Sequence, residues 1–310
     1  MTSVLQSNRP FFRSALILAI KIIFGRRWSH AQDWLPGLEI ERAENGKEGA
    51  IRYKKERVVS LYSACVLKAA SSPTIYIVGS GPSIMDNDMS RAESRTCILL
   101  NGAISLIGTA ISEPLALVIE DERFVWRHFD LMRRKVRPGM ICLLSVGVIR
   151  AICECDREWL SDKTIVLADD IRKPYRVARR TIAQIRDLGI PIVESGEKAA
   201  LSLNPDSGVF HGGSVAISAL QFALHCAPRQ IGIFGIDISN ANQPRFYEKQ
   251  NDVAYSGIAR AESRILSFFS LAKRVAAERN VELLNFSPVS ALLKCGFHYD
   301  DRFASRRTRD

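Results

Sequence analysis

Ile75-Tyr76-Ile77-Val78-Gly79-Ser80-Gly81-Pro82-Ser83 reads as a buried β-strand that runs straight into a tight turn. Four β-prone residues precede a turn rich in glycine, serine and proline. Glycine lets backbone approach a ligand closely, and bare N–H groups in such a turn can hold phosphate oxygens. Open α/β sheets bind ligands at the carboxyl ends of their parallel strands. The stretch therefore marks a candidate nucleotide pocket, with a ligand-free strand–helix turn as the alternative.

The same punctuation recurs along the chain. Strands are expected over residues 96–100, ending at Asn101-Gly102, and 115–119, ending at Glu120-Asp121-Glu122-Arg123. Further strands are expected over 140–144, 164–167, 230–234 (ending at Gly235-Ile236-Asp237) and 281–284. Helical spacing predicts helices over 58–70, 124–137 and 175–188, one beginning after Asp206-Ser207-Gly208 and halting at Pro228, and one carrying Ile265, Phe268, Ala272 and Val275 on a single face. Strands alternating with helices make an α/β, doubly wound, mostly parallel sheet. Three segments are expected. An N-terminal amphipathic helix and linker fill 1–54, with residues 35–54 read as linker or short irregular strands; a single Rossmann-like domain fills 55–301 with an insertion at about 153–203, and 302–310 is a basic tail.

Composition narrows the partners. With 47% hydrophobic and 25% charged residues, 310 residues bury a full core. The formal net charge of +10 favours acidic partners: anionic lipid, or anionic sugar and nucleotide substrates. No helix-turn-helix, zinc-finger or RNP-type pattern is present, so nucleic acid is not expected. The seven cysteines are odd in number and mostly in apolar surroundings, as in a reducing cytoplasm. Residues 11–24 are apolar, interrupted by Arg13 and Lys21 and flanked by Arg9, Arg26, Arg27 and Trp28. The run is short for a transmembrane helix. It reads as a helix lying on the inner face of the cytoplasmic membrane, or packed on the domain or in a homo-oligomer contact.

Several chemistries drop out. The first turn has neither the dinucleotide GxGxxG spacing nor the lysine of a Walker A loop, and GxSxG is absent. Asp86-Asn87-Asp88 has DxD form but follows the glycine turn instead of ending a strand, and Asp169-Asp170 and Asp300-Asp301 are adjacent pairs without ligand geometry. No metal site is expected. The order of motifs is more specific. Gly79-Ser80-Gly81-Pro82-Ser83, Asn101, Ser207-Gly208-Val209, Gly235-Ile236-Asp237 and Ser287-Pro288-Val289-Ser290 together resemble the bacterial CMP-sugar sialyltransferases of glycosyltransferase family 42 and their wider relatives, over roughly residues 75–293.

That resemblance implies a modified glycosyltransferase-A (Rossmann-like) fold, and the insertion at 153–203 reads as a lid or acceptor-binding subdomain, or as surface decoration. The resemblance also implies a CMP-sugar donor and no separate cofactor. By position, Gly79, Ser80, Gly81, Pro82, Ser83 and Asn101 are implied to meet the nucleotide and donor. Ser207 and Gly208 would hold the cytidine or donor carboxylate, Gly235 and Asp237 the nucleotide, and Tyr247 the leaving phosphate. Each has a local alternative: Ser207 as a helix N-cap, Asp237 as a turn residue.

The sequence also departs from the family. Ser239 stands where a tyrosine is expected, leaving Tyr247 and Tyr255, and the family's general-base histidine has no counterpart, the count back from Pro288 landing near Ser263. Replacement bases are Glu120 and Asp121 at a strand end, and His211, with His298 further off. The leading expectation is a metal-independent inverting glycosyltransferase. It would move an acidic ulosonic sugar, Kdo-type or sialic acid, onto a glycan or glycolipid acceptor such as lipopolysaccharide or capsule. The alternatives are a pterin diphosphokinase-like enzyme needing ATP and magnesium, a flagellin-modification enzyme, and a non-catalytic nucleotide-binding scaffold.

Overall fold

The structure, a computed structural model, describes residues 9–44, 46–196, 198–238, 244–248 and 258–305. Eight parallel strands cross its centre: β3 (Glu56–Tyr62), β4 (Thr74–Val78), β5 (Cys97–Leu100), β6 (Ala116–Ile119), β7 (Ile141–Leu144), β8 (Thr164–Leu167), β11 (Gln230–Phe234) and β12 (Glu282–Asn285). An antiparallel margin, β1 (Leu38–Glu41) and β2 (Gly49–Tyr53), completes the order β1-β2-β3-β8-β7-β6-β5-β4-β11-β12. A separate hairpin joins β9 (Ile192–Ser195) to β10 (Ala199–Ser202).

Pleating splits the strand side chains between two cores. Ile75 and Ile77 of β4 enter the core under α6 (Val215–Cys226) and α7 (Ile258–Glu278). Tyr76 and Val78 enter the core under α3 (Glu122–Lys135) and α4 (Val146–Asp156). Burial on both faces explains why the central strands are uninterrupted apolar runs. The fold is thus the expected doubly wound α/β sheet. The chain travels outward from β4 to β8, then returns to place β11 on the other side of β4. The strand order reverses there, between the Gly79–Ser83 turn and Gly235-Ile236-Asp237.

The margin differs from the sequence reading. Residues 35–54, expected as a linker or short irregular strands, form β1 and β2 of the sheet, and the helix expected over 58–70 is β3 followed by the short α2 (Cys65–Ala70). Ile51 and Leu61, 0% and 2% exposed, face the core while Arg52 and Arg57 point outward, so only half of each strand is apolar. The helix expected over 175–188 begins only at α5 (Ile182–Asp187), because Arg176 takes a left-handed φ of +54° and Thr181 caps the later start. Nor is 153–203 a detached lid. β8 is an interior strand, and Ile185, Ala199 and Leu201 are in the core. Ser239, Tyr255 and the tail beyond residue 305 lie outside the described residues.

If residues 35–54 are part of the sheet, Ile51→Ala leaves a cavity at its margin. Urea unfolding is expected to show a loss of about 2–4 kcal/mol. A change under about 0.5 kcal/mol, the size ordinary for a surface site, would place this segment outside the cooperative unit.

Candidate functional site

Three loops meet at the switch point, and one carboxylate joins them. Asp237 Oδ2 accepts the Ser83 amide (2.7 Å), and Oδ1 accepts both the Ser83 hydroxyl (2.6 Å) and the Ser287 hydroxyl (2.7 Å). The turns after β4 and β11 also share backbone bonds. Gly79 N–H donates to the Phe234 carbonyl at 2.8 Å and Gly81 N–H to the Gly235 carbonyl at 2.9 Å. A Cβ on Gly81 would sit 2.5 Å from Asp237 Oδ2, so the loops close only around glycine. The amides expected to cradle phosphate are therefore largely engaged within the protein. Pro82 starts a 3-10 turn, and Ser80 keeps an amide and hydroxyl with no hydrogen-bond partner among the described residues.

Asn101 leaves β5 in the left-handed region (φ +47°), with its side-chain oxygen buried and unpartnered. The next residue must be small, since a Cβ on Gly102 would stand 1.8 Å from the Tyr247 ring. Tyr247 meets His128 edge-on, and burial pushes its phenol up to about 12. Phe246 N–H reaches the Ser80 carbonyl at 3.4 Å, so Tyr247 is anchored between the β4 and β5 loops. Ser80, Asn101 and Tyr247 thus gather in one place, as the sequence motifs imply.

The next strand carries the acidic cleft. Glu120 follows β6, in neighbouring register to Asn101 after β5. Its Oε1 lies 3.7 Å from His211 Nε2, too far for a direct hydrogen bond, and both atoms are buried without a partner. Burial raises the Glu120 carboxyl above its usual range, with His211 pulling it back. For His211, burial works downward, but Glu120 and Asp170 outweigh it and the imidazole is shifted up. Asp121 is different. It caps α3 and is paired with Arg123, which overcomes burial and holds its carboxyl below the ordinary range. A carboxylate so neutralised is a poor proton acceptor, whereas Glu120 and His211 keep open polar atoms at the cleft.

His211 reaches Glu120 along a path that begins at Ser207. Ser207 Oγ accepts from Asn204 Nδ2 at 3.1 Å, and Gly208, at φ +109°, would carry a Cβ only 3.1 Å from Ile171 Cα. Val209 then pairs with the chain after β8, its N–H donating to the Asp169 carbonyl at 2.8 Å. Gln221 on α6, fully enclosed, accepts from Phe210 N–H and donates to the Phe210 carbonyl, both at 3.0 Å. Ser207 is not the cap of α6; Ser214 is. Its segment pairs beside β8, four strands from β4 and so about 19 Å away at ordinary strand spacing. The structure does not bring Ser207 and Gly208 beside the Gly79–Ser83 turn.

A buried ion cluster supports the cleft from behind. Arg13 Nε (2.9 Å) and Arg150 Nη2 (2.6 Å) both donate to Glu122 Oε2, while Arg9 holds Oε1 and Arg150 also pairs with Glu154. Burial opposes ionisation of Glu122, but Arg13, Arg9 and Arg150 prevail and hold its carboxyl low. Asp33, which also lines the cleft, is pushed up to about 6 by burial and by Glu122. Sequence reading missed Arg13 and Arg150, whose shared partner Glu122 lies 109 and 28 residues away, and it missed Asp33 and Gln221, which no motif marks. His298 is exposed, and Asp88 serves as a local cap for Ser90. Among the described residues no group of three or more His, Cys, Asp and Glu could hold a metal ion.

Comparison with known proteins bears on this arrangement. A family model described as 3-deoxy-D-manno-octulosonic acid transferase WaaZ matches residues 62–294. The chain is 20% identical over 206 residues to an Escherichia coli (strain K12) protein described as "Probable 3-deoxy-manno-octulosonic acid transferase", covering 64% of this chain and 72% of that one. Among solved structures it is similar to the sialyltransferase CstII from Campylobacter jejuni in complex with CMP-3FNeuAc, at 10% identity and a TM-score of 0.37, covering 75% of this chain and 88% of that one. A structure described as a CST-II variant in complex with CMP gives 12% identity and a TM-score of 0.40, with 75% and 88% covered.

Asp237 is a brace for three loops, so its loss acts on the empty protein. Asp237→Ala strands the Ser83 and Ser287 donors and is expected to lower stability by roughly 3–5 kcal/mol in denaturant unfolding without ligand. Unchanged unfolding of the ligand-free variant would show the carboxylate to be only a ligand contact.

Proposed function

The chain belongs to the WaaZ family of 3-deoxy-D-manno-octulosonic acid (Kdo) transferases, and on that premise we propose that it moves Kdo from a CMP-activated donor to a sugar hydroxyl of lipopolysaccharide. It is a glycosyltransferase for an acidic sugar; the donor, the acceptor and the mechanism are our reading. The observation that carries this reading is the unpartnered pair Glu120 Oε1 and His211 Nε2, 3.7 Å apart at the strand end next to Asn101. Both residues line the cleft in which this reading places the acceptor hydroxyl.

In this reading the acceptor hydroxyl gives its proton to the Glu120 carboxylate, and its oxygen bonds to the anomeric carbon of the donor. The bond from that carbon to the CMP phosphate breaks, its electron pair leaving with the phosphate. Attack from the face opposite the leaving group inverts the anomeric centre. The Ser80 amide and hydroxyl, the Asn101 side-chain amide and Tyr247 are the groups best disposed to meet the departing phosphate. His211, in its charged form, stabilises the ionised Glu120 that receives the proton. The ordered motifs from Gly79 to Ser290 support the CMP donor, and the net charge of +10 favours a doubly anionic substrate. The reading includes activity without a divalent cation.

The donor is tested by thermal shift with CMP, UDP, GDP and ATP. A CMP-selective rise is expected, worth about 2.7 kcal/mol at 100-fold over the dissociation constant. Equal response to all four, or transfer abolished by EDTA and restored by manganese, would overturn the reading.

The base is tested by pH. Glu120 works ionised, and burial raises its pKa, so kcat/KM is expected to fall with decreasing pH through a limb above the ordinary glutamate value of about 4.3. Glu120→Gln should cost about 10²–10⁴ in kcat while leaving the fold intact. His211→Gln removes a cation that favours the carboxylate, so the limb should move to higher pH. An unmoved limb would exclude His211 from the proton chemistry.

A further inference from the structure

Helix α1 (Phe11–Trp28) carries apolar side chains on both of its faces. Its inward side carries Ile20 and the wholly buried Arg13, whereas its outward side carries Phe11, Ile22 and Ile23, which are 89%, 74% and 73% exposed. At 100° per residue Phe11, Leu18 and Ile22 fall in one narrow stripe, with Phe12 and Ile23 beside it. A helix that only packs on its domain buries such a stripe. The only charges on the exposed part of α1 are Lys21, Arg26 and Arg27, and no acidic residue precedes Asp33.

A second cationic segment is joined to the end of this helix. Residues 172–180 contain Arg172, Lys173, Arg176, Arg179 and Arg180 and no acid. Arg179 N–H donates to the Arg27 carbonyl at 3.0 Å, and His30 Nε2 donates to the Pro174 and Val177 carbonyls at 3.3 and 2.9 Å. The apolar stripe and the basic loop are therefore continuous. Charge complementarity points to one occupant. A two-fold pairing of the stripe with a second copy would gather two sets of cations and no acids in one interface.

We propose that α1 and residues 172–180 form a single membrane-docking surface for an anionic phospholipid layer. The apolar stripe enters the interfacial region, and the arginines and lysines lie over the headgroups. No helix among the described residues is long and apolar enough to cross a membrane, so this helix lies on the layer. The surface adjoins the acidic cleft. Lys173 lines both, and Arg9 and Arg13 reach from α1 to Glu122, beside Asp121. Docking would hold the mouth of the cleft at the lipid surface, where a lipid-borne acceptor is anchored; this last consequence rests on the transferase reading.

The test is flotation of the full-length chain with vesicles of phosphatidylethanolamine and phosphatidylglycerol, against vesicles of phosphatidylcholine. The chain is expected to float with the anionic vesicles, to be released by high salt, and to stay behind with the neutral ones. Ile22→Glu/Ile23→Glu should weaken binding about tenfold or more and Arg26→Ala/Arg27→Ala severalfold. Both double variants should retain wild-type melting temperature and wild-type transfer to a water-soluble, deacylated acceptor. Equal flotation of wild type and Ile22→Glu/Ile23→Glu would overturn the surface. So would a lipid-free wild-type chain, or a dimer that this variant splits into monomers. Lipid binding with no transfer from any CMP-sugar would uphold the surface and sink the transferase reading.

Discussion

Asp237 is the point on which the candidate donor site depends. A parallel sheet delivers all its loops to one edge but does nothing to hold them together there. At the reversal of strand order, the Asp237 carboxylate accepts one amide and two hydroxyls from the loops after β4 and β12. The charge is enclosed, and its three donors supply the hydrogen bonds that water would otherwise make. With these loops tied, the Ser80 carbonyl can anchor the segment carrying Tyr247, and Tyr247 in turn lies against Gly102 and shapes the surroundings of Asn101.

Two strands along the same edge, the chemistry changes character. Asp237 is satisfied by Ser83 and Ser287, whereas Glu120 and His211 face each other across a gap with their inner atoms unmatched. Unmatched buried polar atoms cost stability, so a gap of this kind needs a supporting frame. That frame comes from Gln221, which clamps the Phe210 backbone ahead of His211, and from the Glu122 cluster, in which Arg13 and Arg150 are both fully buried. The cluster also ties the N-terminal helix to α3 and α4. The helix is thereby coupled to the cleft by charge, in addition to the apolar packing of Ile20 and Leu16.

Legibility followed burial. Central strands such as β4 and β6, enclosed on both faces, are continuous apolar runs with a glycine, asparagine or acidic residue at the end, and they read correctly. The margin read less well: Ile51 and Leu61 are apolar on one face only, so 35–54 stayed open between linker and short strands, and residues 58–70 fit a helix as well as a strand followed by a short helix. Ser207 was misplaced for another reason. A serine before an apolar run signals a cap, but Ser214 occupies that place, and Ser207 starts the stretch that leads His211 across the edge. Among the proposed bases, Glu120, Asp121 and His211 looked equivalent along the chain. Only Arg123 folded back onto Asp121 separates them.

The sequence by itself determined the alternation of strands and helices, the edge at which the loops collect, and the order of motifs that belongs to a family of acidic-sugar transferases. These are local or sequential properties, written in hydrophobic period and in turn residues. Tertiary structure alone decided which carboxylate is engaged as a brace, which is neutralised and which stands open. It also decided that the apolar stripe of α1 faces outward while its arginine faces in. The brace and the inward arginine depend on partners more than a hundred residues apart, Ser83 with Asp237 and Arg13 with Glu122. No window of sequence contains both members of such a pair.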